Sequence, residues 1–187
     1  MTRLIGALLL ALALLPAAAG PASAQSQYTY SSEELIREGH SFFGGVTEGL
    51  ATLVERAVGQ YGLPNGYILG QEGSGALFVG ARFGEGMLHT KNAGQHPVFW
   101  QGPSLGFDIG GSGDRVMMLV YNLPDVSAMY QRFPGVAGTA HVVAGFGMTV
   151  LGMNNIYVVP IVSGVGARLG VNIGYLSFTA QPSWLPL

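Results

Sequence analysis

The chain contains no cysteine, carries charge on only 10% of its residues, and nowhere gathers its few basic side chains into a cluster. The first absence excludes disulfides, so stability has to come from packing, and it excludes an N-terminal lipid-modified cysteine as a membrane anchor. The second places the chain far below the roughly 25% charge of an average soluble protein. The third argues against nucleic acid as a partner, because phosphate binding needs several Lys or Arg converging on one face. Histidines are scarce too: His40, His89, His96 and His141 stand in different segments, without the i, i+2 or i+4 spacing that puts two ligands on one face. No motif in the sequence calls for a metal or a cofactor.

Part of the charge deficit sits at the N-terminus. Thr2-Arg3 precedes an apolar run from Leu4 to Leu15, and Ala22-Ser23-Ala24 offers a small-x-small cleavage site. The run is short for a membrane span, so residues 1–24 read as a secretory signal peptide cleaved after Ala24. The expected address is the periplasm, and the processed chain is not expected to be an integral membrane protein. Loss of Arg3 leaves seven basic and ten acidic side chains, a formal charge of −3.

What the chain has in abundance is glycine: 30 of 187 residues, two of them within the signal. They follow no three-residue period, which excludes collagen. Many interrupt runs that alternate like strands, where glycine costs stability unless the backbone must bend or approach a neighbour closely. The clearest runs are Leu105-Phe107-Ile109 against Gly106-Asp108-Gly110, and Val165 to Tyr175 against Gly166, Arg168, Gly170, Asn172 and Gly174. Arg115 to Leu123 is almost wholly apolar, as expected of a strand covered on both faces. Strongly curved sheet follows. The fold class is mainly β: a small soluble antiparallel β-barrel over residues 63–187, preceded by a leader and an amphipathic helix over 25–62.

In that leader, Ser32 before Glu33-Glu34 reads as a helix N-cap, and Gly39 and Gly44-Gly45 interrupt the apolar face that follows. Val46, Leu50, Leu53, Val54, Ala57, Val58 and Tyr61 then recur at helical spacing, closed by Gly62 and Pro64. Gly84-Glu85-Gly86 reads as a hairpin turn, Gly135 to Leu151 as a long strand or a strand pair bent at Gly145 and Gly147, and a short helix is expected within 124–133. Pro160 suits an edge or a bulge.

Gly102-Pro103-Ser104-Leu105-Gly106 matches the nucleophile-elbow pattern, with Asp114 or Asp125 and then His141 in triad order. That chemistry needs a strained turn from strand into helix. Here the residues after Ser104 alternate as a strand, and no βαβα alternation surrounds them, so the motif reads as turn and strand chemistry and the protein as a non-enzyme. Candidate binding residues are Trp100, Phe107, Asp108, Tyr121, Arg168 and Tyr175. Asp108 and Arg168 are single charges among glycines on alternating strands, where they form either an ion pair or a polar anchor beside an apolar pocket. The aromatics serve equally as core or rim.

Gly62-Leu-Pro-Asn-Gly-Tyr67, Trp100-Gln-Gly-Pro-Ser-Leu-Gly-Phe-Asp108, Leu119-Val-Tyr-Asn-Leu123 and the run from Pro160 to Tyr175 carry a family likeness. With them, the chain from Glu33 onward resembles the EipA-type envelope-integrity proteins of Gram-negative bacteria, a domain of unknown function. More distantly it is similar to the SYLF lipid-binding domain, through Gly73 to Val79, Gly106 to Gly111 and Ser163 to Ala167, without that domain's basic clusters. The resemblance implies a soluble barrel with an apolar interior, a role in keeping the envelope sound, and a lipid or lipid-like ligand. It implies no catalytic residues. The rival reading is a structural protein with a filled core that docks onto envelope proteins. Whether the barrel interior is filled or hollow separates the two.

Overall fold

The computed structural model describes residues 28–45, 47–74, 81–103, 114–164 and 174–183. Two helices come first, where the sequence predicts one. Helix α1 spans Ser32–Phe43 and helix α2 spans Glu48–Tyr61. The cap of α1 is Ser31, not Ser32. The Ser31 hydroxyl accepts the Glu34 N–H at 3.2 Å, and the Glu34 carboxylate accepts the Ser31 N–H at 2.8 Å. This reciprocal box requires an acid three residues after the cap, which Ser31 has in Glu34; the residue three after Ser32 is Leu35. Gly39 does not break α1; it is buried within it, where an added Cβ would lie 2.5 Å from Leu50 of α2. The break falls at Gly44, in a left-handed conformation with its N–H donated to the His40 carbonyl.

The remaining chain is an antiparallel sheet: β1 (Gly66–Ser74), β2 (Ala81–Thr90), β3 (Gly94–Pro103), β4 (Asp114–Tyr121), β5 (Arg132–Pro134), β6 (His141–Val143), β7 (Phe146–Met148), β8 (Leu151–Met153), β9 (Ile156–Ser163) and β10 (Tyr175–Thr179). Their order is β5-β10-β3-β2-β1-β4-β9-β7-β6, with β8 also paired to β9. The sheet curls, and an antiparallel bridge between Gly135 and Leu151 joins the β5 end to β8. The barrel-like architecture is therefore as the glycine content predicts.

Particular elements differ from the sequence reading. Gly84-Glu85-Gly86 is not a turn: it lies mid-strand in β2, in register with Gly70, Gln71 and Glu72 of β1 and with Val98, Phe99 and Trp100 of β3. The turn comes later, at Lys91-Asn92-Ala93, where the Thr90 hydroxyl accepts the Ala93 N–H and Gly94 is left-handed. The segment 135–151 is a strand pair, reversed at Ala144-Gly145 with both residues at positive φ, as primed hairpin turns require. The short helix of 124–133 is one 3-10 turn, Val126–Met129, capped by the Asp125 carboxylate; from Arg132 the chain is already strand. Pro160, which has no N–H to give, faces the gap between β7 and β8, where its carbonyl accepts the Thr149 N–H.

Two apolar cores share the sheet. Ile68, Leu88, Val98, Trp100, Val116, Met118, Val120, Phe133, Val158, Leu176 and Phe178 pack together on the concave face. On the opposite face Tyr67, Met117, Leu119, Tyr121, Val159 and Ile161 are covered by Leu35 of α1 and Leu50, Leu53, Val54 and Ala57 of α2. Strand β4 alternates between the two, so Val116 to Tyr121 are all buried, as the unbroken apolar run predicts. The helices thus cover the outside of β4, β9 and β7. The outside of β2 and β3 lies beyond that cover.

A groove on the outer face of the sheet

Register decides which side chains meet on that uncovered face. Glu72, Gly84 and Trp100 are aligned across β1, β2 and β3, and they alternate in step with Ile68, Leu88 and Val98, so they face the interior. Trp100 lies flat across Gly84, where a Cβ would come within 2.4 Å of the indole Nε1; its far ring edge reaches Gly70. The indole N–H donates to Glu72 Oε2 at 2.8 Å, and Arg82 Nη1 donates to Glu72 Oε1 at 3.1 Å. Arg82 is 6% exposed and its Nε–H donates to the Pro103 carbonyl. A charged pair is buried here with both carboxylate oxygens and two guanidinium nitrogens hydrogen-bonded, the condition under which such a pair persists. It holds the indole in place, and the indole forms the floor beneath the outer face.

On the outer side two rows cross the strands. One is Gln71, Glu85, Phe99 and Thr179; the other is Gly73, Phe83, Gln101 and Ser177. The chain leaving β10 passes Pro182 and Ser183 along one flank. These residues, Ser177 excepted, bound a groove of about 340 Å3, within the range of sites that hold small ligands. Glu85 and Gln71 are exposed, Phe83 and Phe99 half-buried, and Gln101 buried. Among the described residues no Lys or Arg lines the groove.

The other end of this face is a separate, filled cluster. Tyr67 meets Tyr30 edge-on at 4.8 Å and stacks on His89 at 4.7 Å, while Lys91 lies over Tyr30 and pairs with Glu34. Burial pushes the Tyr67 hydroxyl up to about 12 and holds His89 below its ordinary value.

The described candidates, Trp100, Tyr121 and Tyr175, do not converge. Trp100 forms the groove floor. Tyr121 faces the opposite side of the sheet beneath α2, between Tyr61 and Tyr157, with its hydroxyl buried and without a hydrogen-bond partner; burial raises its pKa. Tyr175 begins β10 and carries the Arg132 guanidinium on its ring at 4.6 Å. Phe107, Asp108 and Arg168 lie outside the described residues, as does Ser104. Asp125 spends its carboxylate on capping, and His141 stands on strand β6. Among the described residues no group of three His, Asp or Glu is placed to hold a metal, and no helix is long and apolar enough to cross a membrane. Sequence reasoning missed Phe83, Glu85, Phe99 and Gln71; the signal was there in the alternation of 81–90 once Gly84 and Gly86 are taken as strand.

The family described as envelope integrity protein A matches residues 28–187. The chain belongs to it. A crystal structure described as a β-barrel-like, uncharacterized protein from Brucella abortus is 59% identical, with a TM-score of 0.82, over 86% of this chain and 99% of that one. Among curated proteins none matches the chain. Envelope integrity is the role that the family's name carries, and the fold is that of its barrel-like relative.

Proposed function

We propose that this envelope-integrity protein is exported to the periplasm, is not an enzyme, and works by holding an amphipathic envelope component in the groove over Phe83, Glu85 and Phe99. The observation that carries this reading is the contrast between the two faces: the concave interior is packed with buried side chains, while the groove outside is open. A ligand therefore sits on the barrel rather than in it. The 1–24 segment, with its Ala24 cleavage site, supplies the export route. The packing of the described interior residues also favours the docking of an envelope protein over lipid storage inside the barrel, and the same groove would serve.

Complementation tests it. In a strain lacking the protein and sensitised to detergent, the wild-type chain and a Ser104→Ala/His141→Ala double variant should restore growth, whereas Phe99→Ala with Glu85→Lys should not. Full rescue by the groove variant, at normal abundance in the periplasmic fraction, would sink the proposal.

A further inference from the structure

We infer that the part of the component held in this groove is a saccharide, neutral or amine-bearing rather than acidic. The inference rests on the binding reading above and narrows its ligand. Three chemistries compete for a groove with aromatic faces, and the lining separates them.

An acyl chain would use Phe83, Phe99 and Pro182, but it would cover the Gln71 amide, the Glu85 carboxylate and the Thr179 hydroxyl without returning a hydrogen bond. Removing such groups from water unpaired costs more than the methylenes gain. A phosphate or carboxylate headgroup needs Arg, Lys or converging N–H groups. Among the described residues no Lys or Arg lines the groove, and the buried Arg82 guanidinium behind its floor is spent on Glu72 and Pro103. Among the described lining residues the one exposed charge is Glu85, a carboxylate with no salt bridge among the described residues, which repels an anion.

A sugar ring meets both halves of the lining. Its C–H face is apolar and stacks on an aromatic ring, while its hydroxyls both donate and accept. Phe99 lies directly across from Glu85, which lies directly across from Gln71, so ring face, carboxylate and amide follow one another along a single row. Thr179 ends the row; its hydroxyl donates to the Gln181 carbonyl, and a hydroxyl oxygen that donates can still accept. Four strands make the row about 14 Å long, which suits a short oligosaccharide better than one ring. Glu85 next to Phe99 additionally welcomes an ammonium, since a carboxylate and a ring face both attract a cation.

The test is a titration of the isotopically labelled exported chain, read at the Gln71, Glu85 and Phe99 backbone amides. The probes are N-acetylglucosamine tetramer, its deacetylated amine form, an oligogalacturonate, and phosphatidylethanolamine vesicles. The two uncharged or cationic oligomers should shift these amides saturably, and the oligogalacturonate should not. Phe99→Ala, still folded by its unchanged dispersion, should weaken the first two about tenfold or more, and Glu85→Gln should weaken the amine form more than the acetylated one. Shifts from vesicles alone would overturn the saccharide, and shifts from oligogalacturonate would overturn its neutral or amine-bearing character, each while leaving the groove as a binding site. No shift from any probe would overturn both.

Discussion

Adding a single methyl at Gly84 tests the central packing of the groove floor. The backbone there is not left-handed, so alanine meets no torsional penalty. The cost comes from the indole alone: the new Cβ would lie 2.4 Å from Trp100 Nε1 and Cζ2. Trp100 is 2% exposed, packed beside Phe178 at 6.2 Å, and tied to Glu72, so it has nowhere to retreat. Overpacking of this kind costs about 1–3 kcal/mol, and displacing the indole also strips a hydrogen bond to a charged group worth about 1.5–3 kcal/mol. A loss of roughly 3 kcal/mol is expected, which for a domain of this size lowers Tm by about 10 °C. Urea and thermal unfolding followed by tryptophan fluorescence and far-ultraviolet dichroism measure it. In a Trp100→Leu background, which removes the ring, the same methyl should cost about 1 kcal/mol or less, a coupling of about 2 kcal/mol. An unchanged midpoint for Gly84→Ala, or an equal cost in both backgrounds, would refute the placement of Trp100 across β2.

Two glycines of α2 should respond in opposite directions. At Gly49 an added Cβ would lie 2.6 Å from the Val143 carbonyl oxygen, so Gly49→Ala should push α2 off the β6–β7 hairpin and lose about 1–3 kcal/mol against its gain in helix propensity. Gly59 is exposed with nothing within 4 Å, so Gly59→Ala should gain up to about 1 kcal/mol; chemical denaturation of both variants checks the sign. His89 predicts a pH dependence. Burial against Tyr67 lowers its pKa, partly offset by the Glu38 carboxylate, so the unfolded chain takes up a proton more readily than the folded one. Its contribution to stability is complete above the ordinary value of 6.5 and is lost as pH falls through the folded value. Tm should therefore drop between pH 7 and 5, and His89→Gln should flatten that part of the profile.

Sequence alone determined the elements whose signal is local. Alternation and an unbroken apolar run suffice for β4, because a strand buried on both faces has no polar side to show. Gly44 and Gly62 end their helices for a reason carried by the residue itself, freedom at positive φ. Ser31 and Glu34 were equally legible as a box, and the cap was misplaced by one residue only because Ser32 is the same chemistry. Tertiary structure alone decided what Gly84 and Gly86 are for. A glycine pair reads as a turn when nothing in the neighbouring residues says otherwise, and what needs the space at these two lies far off in the chain: the Trp100 indole over Gly84, and the Leu69–Gly70 backbone of β1 against Gly86. The groove was hidden for the same reason. Gln71, Glu85 and Phe99 come from three strands, and only pairing register, set by long-range contacts, puts an amide, a carboxylate and a ring in one line on the face the helices leave uncovered.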